Sequence, residues 1–121
     1  MVVKLENAKI KSMEETETKN LRLLEISSRK GEANLTLELP EVLCETLDSE
    51  EPVDVHISPR ETKRGSQSSI YAKGTIFKIE GEEDLRVVGS IGGLRMVISI
   101  KGASSTERRS FESEEFYIAI S

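Results

Sequence analysis

Apolar and polar positions along this chain alternate with a period of two far more often than with the helical period of about 3.6. Val53-Asp54-Val55-His56-Ile57-Ser58 alternates strictly, as does Leu35-Thr36-Leu37-Glu38-Leu39. Leu94, Met96, Ile98 and Ile100 interleave with Arg95, Val97, Ser99 and Lys101. Phe116, Ile118 and Ile120 interleave in the same way with Tyr117, Ala119 and Ser121. Successive side chains of a strand point to opposite faces, so each pattern describes antiparallel sheet with one face covered. Val2–Ile10, Asn20–Ser28, Ser69–Glu80 and Leu85–Ile91 read as further strands of less regular phase. Their phase slips at Leu23-Leu24 and around Gly74, where a bulge or sharp bend is expected. Phe116 falls on the apolar phase of its strand, and Phe77 is expected to face the core as well.

Only Pro40–Leu47 suggests a helix, with proline at the first position and apolar residues at Leu43 and Leu47. It is at most two turns long, which suits a plug or connector. Turn residues gather at Arg29-Lys30-Gly31, Gly81-Glu82-Glu83-Asp84, Gly92-Gly93 and Gly102-Ala103-Ser104-Ser105. Two polar, locally basic stretches, Ser58–Ser68 and Lys101–Ser113, are expected to be solvated and mobile. About eight strands with short turns predict an all-β fold. Glycines that interrupt long strands favour a closed antiparallel barrel, because closure needs sharp bends.

Length and charge narrow the function. The 121 residues suit one domain spanning 1–121. With 17 basic and 22 acidic residues the net charge is −5, which argues against a general nucleic-acid coat. No apolar run approaches the ~18 residues of a membrane helix. The start, Met1 to Glu6, lacks the basic-then-apolar pattern of a secretory signal. A lone Cys44 cannot form an internal disulfide and points to a reducing cytoplasm. Glutamate far outnumbers aspartate, a composition compatible with a hyperthermophilic source.

Reactive constellations are scarce. The single histidine, His56, sits at an alternating strand position and reads as a surface or barrel-lining imidazole, not a catalytic base. Cys44 reads as a small buried thiol, since Glu41 and Glu45 beside it oppose thiolate formation. One His and one Cys do not make a zinc site, and Glu82-Glu83-Asp84 lacks the spaced oxygens of an EF-hand loop. The glycines at 89, 92 and 93 do not form a phosphate-binding fingerprint, and no cofactor motif is present. Small barrels bind single-stranded nucleic acid with a basic groove and exposed rings. Tyr71 and Lys73, with Lys63 and Arg64 in the nearby loop, are the candidates for such contact.

Gly92-Gly93 between two strands signals a tight hairpin, because primed turns need positive φ. Bare backbone there also lets another chain approach closely, with Leu94 as an apolar anchor. Tyr71-Ala72-Lys73-Gly74-Thr75-Ile76-Phe77-Lys78-Ile79-Glu80-Gly81, followed by Ser90-Ile91-Gly92-Gly93-Leu94-Arg95-Met96, resembles the small eighth subunit shared by the eukaryotic nuclear RNA polymerases and the archaeal counterpart of that subunit. The resemblance is specific over Tyr71–Gly102 and softer elsewhere. It implies an eight-stranded barrel related to the oligonucleotide-binding fold and a non-catalytic role. The partner it implies is the largest subunit of the DNA-directed RNA polymerase, bound on its outside and helped to assemble. The family's glycine-glycine-leucine motif maps onto Gly92, Gly93, Leu94 and Met96, with Arg95 where the eukaryotic relatives carry an apolar residue. The Ser58–Ser68 loop is much shorter than the acidic loop of those relatives, which favours the archaeal branch. The rival expectation is a free-standing single-strand-binding barrel.

Overall fold

A computed structural model describes residues 3–17, 19–48, 50–61 and 68–121. Eight strands run in chain order as β1 (Val3–Glu15), β2 (Leu21–Ser27), β3 (Ala33–Pro40), β4 (Val53–Ser58), β5 (Ile70–Glu80), β6 (Leu85–Ile91), β7 (Leu94–Ile100) and β8 (Glu115–Ile120). They close into a barrel in the order β1-β2-β3-β7-β6-β5-β8-β4, and every neighbouring pair is antiparallel. One-turn helix α1 (Glu41–Cys44) follows β3, and α2 (Ser105–Arg109) joins β7 to β8.

Alternation sorts the side chains as expected. Leu24, Ile26, Leu35, Leu37, Val55, Ile57, Val87, Met96, Ile98, Phe116, Ile118 and Ile120 all point inward and are at most 1% exposed. Each large aliphatic side chain so buried contributes about 1.5–3 kcal/mol relative to water. The opposite faces carry Thr36, Glu38, Arg86, Arg95 and Tyr117 to the outside. Among the described residues no helix is long and apolar enough to cross a membrane.

Phase slips fall elsewhere than expected. β2 pairs with β3 in unbroken register from Leu21↔Pro40 to Ser27↔Asn34, and Leu23 simply faces outward. The irregularity belongs to β1, whose register shifts between Leu5 and Ala8 against β4 and between Ile10 and Ser12 against β2. A 13-residue strand that serves two partners must bend, and a bulge supplies the bend. Asn7 (φ 53°) takes up the first of these shifts, with its N–H donating to Asp54 Oδ1 at 2.9 Å.

In β5 the ladder is continuous at Gly74 and slips two residues later, between Ile76 and Lys78. Phe77 is that extra residue, left without a ladder partner. It is 69% exposed, contrary to its expected inward phase.

The Lys101–Ser113 stretch is also more ordered than its composition predicts. Ser104 and Glu107 form a reciprocal capping box, the Ser104 hydroxyl accepting from Glu107 N–H and the Glu107 carboxylate from Ser104 N–H. Arg108 donates to the carbonyls of Gly81 and Glu82, and Phe111 is 1% exposed. A buried ring and two backbone anchors hold the segment across one end of the barrel. α1, in turn, is a single turn, within the two-turn limit that its sequence sets. The chain tightens after it into bonds from Thr46 to Leu43 and from Leu47 to Cys44.

Candidate functional site

β6 and β7 form a hairpin whose last paired residues are Ile91 and Leu94. Gly92 (φ 57°) and Gly93 (φ 84°) fill its two-residue turn, both left-handed as a primed turn demands. Both are exposed, and a Cβ built at either would meet no atom within 4 Å. Backbone conformation alone requires glycine here; internal packing does not.

The register places three separate segments at this end of the barrel. The hairpin tip stands beside the end of β3 with α1 and beside the start of β5. Between them opens a groove of about 370 Å³ lined by Leu39, Leu43, Ile70, Tyr71, Ile91 and Leu94. Leu39, Ile70 and Ile91 form its buried floor, whereas Leu43 and Leu94 are half-buried at its sides. On α1, Val42 is 68% exposed.

Not all of the expected partner-binding residues share this surface. Gly92, Gly93 and Leu94 lie at the hairpin tip. Met96 shares the inward face with Leu94 but sits one layer deeper, at 0% exposure, so it belongs to the core and presents no contact atoms. Arg95 points to the outer wall, opposite Ser90, where it borders a depression with Leu23, Thr36, Glu38 and Val97.

The nucleic-acid candidates are also divided. Lys63 and Arg64 lie outside the described residues. Tyr71 stacks against Tyr117 of β8, with ring centroids 6.0 Å apart and planes inclined by 25°. Lys73 Nζ lies 6.0 Å from the centre of the Tyr117 ring and 2.5 Å from Glu115 Oε2. That hydrogen bond with Glu115 raises the pKa of Lys73, and the carboxylate balances the charge a phosphate would otherwise meet.

Cys44, the last residue of α1, is buried, and burial pushes its thiol pKa up. His56 lies in register with Lys4 on one side and Ala119 on the other, half-buried in the wall. Among the described residues no three His, Cys, Asp or Glu side chains gather as metal ligands. Sequence reasoning missed Leu43 and Ile70 as parts of the groove. The only local signal was a short apolar turn after Pro40, because the groove exists only once three distant segments meet.

No protein-family model matches the chain, and no curated protein matches it.

Proposed function

We propose that this chain is a non-catalytic structural subunit of an archaeal DNA-directed RNA polymerase, working in the cytoplasm and docking on the largest subunit to support its assembly. The motif resemblance over Tyr71–Gly102 suggests the partner. One structural observation carries the reading: an apolar groove opens directly beside two exposed glycines whose side-chain space is empty. Apolar anchors in a pocket, rimmed by backbone that a neighbour can approach, are the working parts of a protein interface.

Leu94→Asp tests it. A carboxylate on the groove wall would have to be desolvated when a partner seats there, while the half-buried site in the free barrel leaves it room to reach water. Co-purification with the largest subunit should be lost, with circular dichroism and thermal midpoint close to those of the native chain. Undiminished co-purification would remove this surface from the assignment.

The stacked Tyr71–Tyr117 pair supports a second reading, a single-strand-binding barrel. That reading requires salt-sensitive oligonucleotide binding that Tyr71→Ala abolishes. The pairing of Lys73 with Glu115 makes it the weaker of the two.

A further inference from the structure

β5 outruns its neighbour β8. Their ladder ends at Thr75↔Glu115, and the last backbone bond between the two sides is Ile76 N–H to Glu114 O at 2.8 Å. From Phe77 to Glu80 the strand continues, with ladder pairing to β6 alone among the described residues. Residues two apart on a strand share a side. Lys78 and Glu80 lie together, their charges 3.3 Å apart, with Arg86 joining Glu80 from β6 at 2.7 Å. Ile79 lies opposite Val87, Phe77 is the unpaired residue of the bulge two positions before it, and the two are 48% and 69% exposed. Bare rings on a strand extension are uncommon in a barrel that buries its other two phenylalanines to 1% or less.

The charges around this ledge are lopsided. Glu82 and Glu83 lie in the turn after it, and Glu112 and Glu114 lie in the segment leading to β8. All four are exposed, and none has an ion-pair partner among the described residues. Nearby cations are already engaged: Lys78 and Arg86 with Glu80, Lys73 with Glu115, and Arg108 with the carbonyls of Gly81 and Glu82. Among the described residues, Lys101 and Arg109 are the unpaired cations closest in the chain to that end, two against four.

We propose that the Phe77–Ile79 ledge binds a short basic segment of another protein, whose aliphatic side chains cover the ring and whose lysines or arginines meet the four carboxylates. A second copy of this chain would set the same carboxylates against themselves, and nucleic acid would be repelled by them. The site lies opposite Val87 and Val88 of β6, four to five residues and roughly 15 Å along the strand from Gly92. It is thus independent of the docking groove and gives the barrel a second, differently charged contact.

Fluorescence anisotropy of the full chain with a labelled synthetic peptide alternating lysine and valine tests this at physiological salt. Peptides alternating lysine with serine, and glutamate with valine, serve as comparisons. Phe77→Ser combined with Ile79→Ser should weaken the lysine–valine peptide about tenfold or more, as expected when two apolar contacts are lost. Glu82→Gln with Glu114→Gln should weaken it and flatten its salt dependence, whereas Leu94→Asp should leave it unchanged. Both ledge positions are exposed, so a native thermal midpoint is expected in the serine double variant. Equal affinity for the lysine–serine peptide, indifference to the serine variants, or loss of binding with Leu94→Asp would overturn the proposal. So would sedimentation showing a native dimer that Ile79→Ser dissociates.

Discussion

The ring of Phe116 occupies the space that a side chain at Gly74 would need. A Cβ at position 74 would lie 2.6 Å from Phe116 Cε1 and 2.7 Å from the carbonyl oxygen of Ser90. Gly89, across the ladder, is confined in the same way, 2.6 Å from Thr75 O and 3.2 Å from the same ring carbon. Two bare positions on adjacent strands form a slot, and the ring, fully buried, fills it.

Gly74→Ala should therefore destabilise the barrel by about 2 kcal/mol, the usual scale of overpacking. The ring can tilt but the Ser90 carbonyl belongs to the ladder and cannot. Combining Gly74→Ala with Phe116→Leu should cost less than the two changes summed. Urea denaturation of the four members of that cycle measures the coupling. Strict additivity would mean that the slot does not limit position 74.

Gly93 presents the opposite case. Nothing lies within 4 Å of its Cβ position, so only its φ of 84° resists substitution. Gly93→Ala should cost about 1 kcal/mol by chemical denaturation, and Gly93→Asn less, because asparagine tolerates left-handed backbone better. Neither change should alter the packed core.

Cys44 should report on α1. Burial raises its pKa, so the native thiol holds its proton where an unfolded one would ionise. Because the folded value lies above the unfolded one, the neutral thiol's contribution is complete below the unfolded pKa. It then falls as pH climbs through alkaline values toward the folded pKa. Iodoacetamide at mildly alkaline pH should label the native chain at least tenfold more slowly than the urea-unfolded chain. Equal rates would mean that α1 opens freely.

Glu80 sets an acid-side dependence. Hydrogen bonds from Arg86 first and Lys78 second hold its carboxyl below the ordinary value of 4.5. With the folded value depressed, the stabilisation is complete above about 4.5 and disappears as pH drops through the folded value. The native chain should thus melt slightly higher than Glu80→Gln at neutral pH. That small gap should close as the solution is acidified below 4.5. A gap that widens with acid would contradict the pairing.

The strands were readable because burial on one face forces period-two alternation, and positions such as Val55, Leu37 and Ile98 keep to it. The bulges were not. Whether β5 slips at Gly74 or after Ile76 depends on where β8 ends and the barrel closes, which local sequence does not encode. Phe77 was misplaced for that reason. α2 left a usable trace in Ser104-x-x-Glu107, but a five-residue helix is too short for any period to show among serines and arginines. At the candidate site the turn was legible from Gly92-Gly93. Its groove was not, since Leu43, Ile70 and Leu94 are far apart along the chain. Arg95 and Met96 illustrate the reverse: alternation alone assigns them to opposite faces, although a motif groups them together.

Because β8 is the strand that stands between β4 and β5, the wall has a gap until that strand is laid in. On a translating ribosome the preceding seven strands must wait, with their inner faces uncovered, until Ile118 and Ile120 emerge from the exit tunnel. Until then the exposed strand borders of the nascent chain invite either a chaperone or premature association with a neighbour.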